Sequence, residues 1–377
     1  MSDLVQILPL WEALRAAHTD YVLATVMEVE GSGYRKPGAR MLIAADGRRA
    51  GTVSGGCLEA EVARKAFWHT ENGPVMRRYS TSPDDGDIPY GMGCGGVVHL
   101  LLERSSTAQP LLENLAAAFT SREPMAIATV MEGDTIGDRA YCHPDKIPDS
   151  TKETSTLLDL ACQAAKERRS FSANLANTDR QIAAVHAEWL PARPGLFIFG
   201  AGDDALPLLS LARQLGWYIA VADGRSHLVT QARFPLADHL HPLNAADPLP
   251  VQPHSTDAAV IMTHSQEQDT RILGQLLPCN LAYLGILGPR HRTVEMLTSI
   301  ARSQVASDKA AEWIESSLRR IHAPMGLDLG GTAPADIALS VIAEIQQTLH
   351  HASAKSLHEL RAQAKKPLAF RRNASIA

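Results

Sequence analysis

Leu196-Phe197-Ile198-Phe199-Gly200-Ala201-Gly202-Asp203-Asp204-Ala205 is the stretch that decides the fold. Four apolar residues in a row read as a buried strand, and the helical spacing that follows begins at Ala205. Between them stands a GxGxxA turn. Gly200 would permit the tight turn, Gly202 the close approach of a phosphate, and Ala205 the packing of helix on strand. The helix ends near Gly216, and a second strand, Trp217 to Ala222, leads to Asp223, where a ribose-binding acid is expected. Further strands are predicted at 258–263 and 281–286. This alternation of strand and helix argues for a parallel, doubly wound, Rossmann-like sheet. The aspartates at 203 and 204 suit the helix dipole but would repel a pyrophosphate, so the turn supports the architecture more firmly than it supports a bound dinucleotide.

Working outward, Trp189-Leu190-Pro191-Ala192-Arg193-Pro194-Gly195 has the prolines and glycine of a linker. The reading is an α/β protein: an N-terminal α/β domain over 1–190, the Rossmann-like domain over 191–350, and a tail over 351–377. In the first domain, helical spacing is predicted over 4–17, interrupted by Pro9, and over 57–70. Strands are predicted at 21–29, 41–45 and 97–103. Ala24-Thr25-Val26-Met27-Glu28 is echoed by Ala128-Thr129-Val130-Met131-Glu132. Five residues fall short of known repeat periods, and the echo reads as a shared strand solution in one domain. Thr332 is a candidate cap for a final helix reaching about 350.

Composition narrows the function classes. Of 377 residues, 45% are hydrophobic and 20% charged, as in an ordinary folded chain. Net charge is −5, without the basic excess a nucleic-acid partner requires. No apolar run approaches a membrane span, and the N-terminus lacks signal-peptide features. The five cysteines (57, 94, 142, 162, 279) have no CxxC spacing, which suits reduced thiols in a cytoplasmic protein.

Two cysteines stand apart. Ser54-Gly55-Gly56-Cys57-Leu58-Glu59 places Cys57 where a helix start lowers a thiol's pKa, with Arg35, Lys36 and Arg40 nearby in sequence. Gly91-Met92-Gly93-Cys94-Gly95-Gly96 places Cys94 among amides that can form an anion nest. The alternative for both is a small buried residue in a tight turn. Glu59 reads as a proton carrier or as a first-turn acid. His264 ends a strand at the ligand-binding edge of the sheet, where it can serve a ligand or simply be hydrogen-bonded. Asp269 reads as a helix-surface acid, Arg290 as a phosphate partner, and His322 is unassigned.

Together these segments resemble the XdhC/CoxI family of xanthine dehydrogenase accessory proteins. In the N-terminal half the likeness rests on Pro37-Gly38-Ala39-Arg40-Met41, the Ser54–Glu59 segment and Gly93-Cys94-Gly95-Gly96. In the C-terminal half it rests on Phe199–Ala205, Met262-Thr263-His264, Gly285–Arg290, Ile321–Gly330 and Thr332–Ser340. Asp203 departs from the small residue or histidine more usual there. The resemblance implies a chaperone-like protein that binds a molybdopterin-type molybdenum cofactor. Such a protein protects the cofactor during sulfuration by a cysteine desulfurase and delivers it to a xanthine dehydrogenase-type molybdenum hydroxylase. The expected cofactor-binding residues are Cys57, Cys94, Gly55, Gly56, Gly95, Gly96, Arg40, Gly200, Gly202, Asp223, His264 and Arg290, with Cys57 and Cys94 toward molybdenum. A homodimer is expected. The competing readings are an NAD(P)-dependent oxidoreductase resting on Gly200, Gly202 and Asp223, and an interaction scaffold that binds no small molecule.

Overall fold

The computed structural model describes residues 3–31, 34–56, 58–80, 96–147, 156–176, 182–244, 247–251 and 253–364. Two compact units emerge: Met1–Pro194 with Arg213–Trp217, and Gly195–Ala212 with Tyr218–Ala377.

The first unit begins with α1 (Leu4–Ala16), which continues through Pro9 rather than breaking there. Pro9 sits on the exposed side, while Leu4, Ile7, Leu8, Trp11 and Leu14 are buried. The order then runs β1 (Tyr21–Glu30), β2 (Arg40–Ala44), β3 (Arg49–Gly51), α2 (Glu59–His69), β4 (Val75–Ser80) and β5 (Val97–Arg104). These strands form an antiparallel sheet in the order β3-β2-β1-β5-β4. The chain next repeats the plan: α3 (Ser105–Ser121), β6 (Met125–Val130), β7 (Arg139–Cys142), α4 (Thr156–Glu167), β8 (Phe171–Ala176) and β9 (Ile182–Leu190). Their sheet, β7-β6-β9-β8, has the first sheet's order without a counterpart of β3.

The correspondence is residue by residue. Thr25 pairs with Arg40 across β1 and β2, and Thr129 with Arg139 across β6 and β7. Leu23 faces Glu103, and Ile127 faces Glu188. Pro9 and Pro110 each lie inside the helix that opens their half. The five-residue echo therefore marks equivalent strands of one unit, each in a sheet of its own. Side chains of α1, α3 and both sheets share one core, and each sheet packs a helix of its own against other buried residues. That helix is α2 for the first sheet, through Leu58, Val62 and Ala66. It is α4 for the second, through Ala161, Cys162 and Ala165.

The second unit is the predicted parallel sheet. It comprises β10 (Gly195–Phe199), α5 (Ala205–Gln214), β11 (Tyr218–Asp223), β12 (His239–Pro242), β13 (Ala258–Ile261), α6 (Gln266–Leu276), β14 (Tyr283–Ile286) and α7 (Arg290–Gln304). Three helices follow: α8 (Ala310–Leu318), α9 (Pro334–Leu349) and α10 (Leu357–Ala364). Strand order is β12-β11-β10-β13-β14, with β10 central and every pairing parallel. The chain winds outward from β10 in both directions, which leaves a switch point beside its carboxyl end. The predicted cap of α9 is displaced by one residue: Ala333 is the N-cap, and its amide donates to Asp336 at 3.1 Å. Helix α10 lies within the stretch expected to be a tail. No helix among the described residues is long and apolar enough to cross a membrane.

Candidate functional site

The glycine-rich loops of the first unit are drawn together by close backbone approach. Gly51, at φ +79°, lies against the Arg40 carbonyl, where a Cβ would come within 2.3 Å. Gly55 lies under the ring of Tyr34, whose nearest carbon would be 3.6 Å from a Cβ there. Tyr34 is itself 79% exposed. The 34–40 stretch, which holds Arg35, Lys36 and Arg40, thus meets the 51–55 stretch in space.

Glu59 secures this arrangement. Its carboxylate accepts from the amides of Val53 (3.2 Å) and Ser54 (2.8 Å) and from the Ser54 hydroxyl (2.6 Å). The Ser54 hydroxyl also accepts from the Gly56 and Leu58 amides. Burial alone would raise the Glu59 pKa. The hydrogen bonds from Ser54 and Val53 outweigh it and hold the carboxyl below its usual range. Glu59 is therefore an anionic clasp for the loop, as its first-turn position suggests, and a proton carrier only if those bonds open.

Arg40 is 5% exposed. Its guanidinium donates to Glu188 at 3.1 and 2.5 Å and to the Gly38 carbonyl at 2.8 Å. It is thus engaged inside the protein rather than presented to a ligand. Arg139 repeats the arrangement in reverse, binding Glu103 and the Gly137 carbonyl. Gly38 (φ +89°) and Gly137 (φ +91°) leave room for these carboxylates, since a Cβ would come within 2.4 Å of Glu188 and 3.1 Å of Glu103. Beside Arg40 opens a cavity of about 430 Å³, lined by Tyr34, Arg35, Lys36 and Glu188 among others. Arg35 pairs with Asp3 there. Cys57, Cys94 and Gly95 lie outside the described residues; Gly96 immediately precedes β5. Cys142 and Cys162 are buried, and burial together with the neighbouring Cys162 thiol pushes Cys142 up to about 12.

In the second unit the structure brings Gly200, Gly202, Asp223 and His264 together. Gly200 (φ +137°) lies against Met262, where a Cβ would come within 2.4 Å of the carbonyl oxygen. Asp223 is fully buried. It accepts from the Ala201 amide at 2.7 Å, the Arg225 amide at 2.8 Å, and the Arg225 side chain at 3.0 and 2.7 Å. Burial raises its pKa, but the Arg225 and Ala201 hydrogen bonds prevail and hold it below the usual carboxylate range. His264 has a left-handed backbone (φ +64°), with Nε2 3.1 Å from Asp204.

Asp269 is fully buried, not the surface acid expected from its helical spacing. It accepts from Thr263 and from Arg292 at 2.5 Å. Arg290 opens α7 at an exposed position. His322 joins the edge of the sheet beside Gly285. Its Nδ1 donates to Glu344 at 2.9 Å, and Glu344 also accepts from Tyr283 (2.6 Å) and the Gly326 amide (2.7 Å). Burial raises the pKa of Glu344, and these donors, His322 foremost, more than reverse it. Sequence reading missed Arg225, Arg292 and Glu344. Only Arg225, two residues past the expected ribose acid, carried a local signal. Among the described residues no three histidine, cysteine or acidic side chains gather as a metal site.

The fold and loops define an α/β protein with a duplicated antiparallel unit and a Rossmann-like unit. Residues 14–80 match the XdhC and CoxI family, and residues 196–345 match the XdhC Rossmann domain. The chain belongs to the XdhC and CoxI family. It is 30% identical over 344 residues to a probable xanthine dehydrogenase subunit from Bacillus subtilis, covering 89% of this chain and 96% of that protein. It is 25% identical to the molybdenum cofactor insertion chaperone PaoD of Escherichia coli, covering 88% and 84%. A Bacillus halodurans crystal structure described as a xanthine dehydrogenase superposes with a TM-score of 0.70 at 27% identity, covering 96% of this chain and 99% of that one.

Proposed function

We propose that this chain is an accessory protein that binds a molybdopterin-type molybdenum cofactor and hands it to a molybdenum hydroxylase of the xanthine dehydrogenase type. The observation that carries the reading is an asymmetry within the duplicated unit. The first half bears Ser54-Gly55-Gly56-Cys57 and Gly93-Cys94-Gly95-Gly96 in the connections after β3 and β4. The matching stretches of the second half, 143–155 and 177–181, contain neither glycine nor cysteine. Glycine in such numbers costs backbone entropy and serves close approach of a ligand. The cavity suits a flat heterocycle bearing a phosphate, with the Tyr34 ring beside it and Arg35 and Lys36 in its wall.

In this reading Lys36, with Arg35 once it leaves Asp3, would hold the phosphate, and Cys57 and Cys94 would supply soft sulfur ligands to the metal. The bound group would supply a molybdenum–dithiolene centre. Sulfuration by a cysteine desulfurase, a homodimeric state and a cytoplasmic location complete the proposal. Relatives named as a molybdenum cofactor insertion chaperone and as a probable xanthine dehydrogenase subunit support the cofactor-insertion role.

The test is cofactor content after expression in a host that makes the cofactor and anaerobic purification. Stoichiometric oxidised-pterin fluorescence and molybdenum are expected. The C57S/C94S double variant should remain folded and lose most of both. A protein that stays empty even after incubation with free cofactor would refute the reading; full retention in the double variant would refute the thiol role alone.

A further inference from the structure

The glycine turn of the second unit has the backbone of a dinucleotide site and side chains that fill it. Such sites keep two places open: the space over the second glycine, where pyrophosphate comes close, and the acid ending the second strand, which accepts from the ribose. Here the space over Gly202 holds the chain's own carboxylate. A Cβ on Gly202 would lie 2.5 Å from Oδ1 of Asp204. The other oxygen of Asp204 faces His264 Nε2 at 3.1 Å, so the side chain is gripped from the end of β13. Its Oδ1 is buried without a hydrogen-bond partner, and would meet an incoming phosphate oxygen as one acceptor meets another.

The ribose position is closed as well. Asp223 is fully buried and takes four hydrogen bonds from Ala201 and Arg225. The cation that could offset the acids is engaged too: Arg233 binds Asp203 and the Ala201 carbonyl.

We infer that this Rossmann turn excludes nucleotide pyrophosphates, and that Asp204 is the residue that closes it. The dinucleotide the fold suggests does not fit these side chains. The inference does not rest on the cofactor proposal, which seats the cofactor against Tyr34, Arg35 and Lys36 of the first unit.

Calorimetric titration of the full chain with NAD+, NADP+ and ATP tests it. Wild type and D203A should show no saturable binding up to about 1 mM, the weak end of the affinity scale. D204A should bind at least one of the three with a Kd lower by about tenfold or more. D204N, which keeps the bulk and drops the charge, should fall between. D204S serves if D204A does not give a cooperative thermal transition. Micromolar binding by wild type would overturn the inference. So would a folded D204A or D204S as blind to nucleotides as wild type, since another group would then close the turn.

Discussion

The two halves of the first unit share a strand order, a proline in the opening helix and a buried arginine–glutamate pair, yet differ where a ligand would be met. In the first half the connections after β3 and β4 are rich in glycine and cysteine; their counterparts are not. Arg35 and Lys36 of the first half correspond to Asp134 and Thr135 in the second, counting back from Gly38 and Gly137. Framework positions have been kept and loop positions have diverged. Buried pairs are constrained by each other, whereas exposed loops are free to specialise.

The largest effect should come from breaking the shared framework. R139M leaves Glu103 buried and unpaired, and R40M does the same to Glu188. Each should cost about 3–5 kcal/mol in urea unfolding, while replacing both partners of one pair by apolar residues should be close to neutral. A far smaller loss in R40M than in R139M would break the equivalence of the halves. Next, G38A should cost about 2–3 kcal/mol and G137A about 1 kcal/mol, because both need positive φ but only the first meets its carboxylate head-on.

Glu59 sharpens the difference between halves, since it clasps a loop the second half lacks. E59Q should lose about 1–3 kcal/mol at neutral pH. The native pKa of Glu59 is depressed, so its contribution is present above the ordinary glutamate pKa of about 4.3 and fades as pH falls through the lower native value. The gap between wild type and E59Q in unfolding free energy should therefore narrow toward pH ~3. Smallest in stability, within about 0.5 kcal/mol, is K36A on the exposed loop; its expected consequence is weaker cofactor retention, read by pterin fluorescence.

Legibility in the sequence depends on whether the signal is local. Gly200, Gly202 and Asp223 stand at spacings set by one strand–helix–strand unit, so the parallel sheet can be read directly. What Asp223 does is not legible, because its partner Arg225 satisfies it from the following turn. Asp269 has the spacing of a surface acid, and only the meeting of α6 with α7 buries it against Arg292. The second half of the first unit is hard to read. Its strands are Ala-rich, and the ion pair between Arg40 and Glu188 spans most of the unit's sequence. Helix α1 shows the opposite error: Pro9 has the look of an interruption, but its ring faces outward and the buried stripe continues past it.

The crossed pairs carry one more consequence. Arg40 belongs to the first half and Glu188 to the second, while Arg139 and Glu103 run the other way. Neither half neutralises its own member of these pairs. Two identical copies of one half, meeting about a twofold axis, would satisfy both at once, as an isologous interface does. The unit is built like a dimer whose protomers have been spliced end to end by α3. Splicing releases the two sides from having to be identical, and one side alone then carries the glycine–cysteine loops.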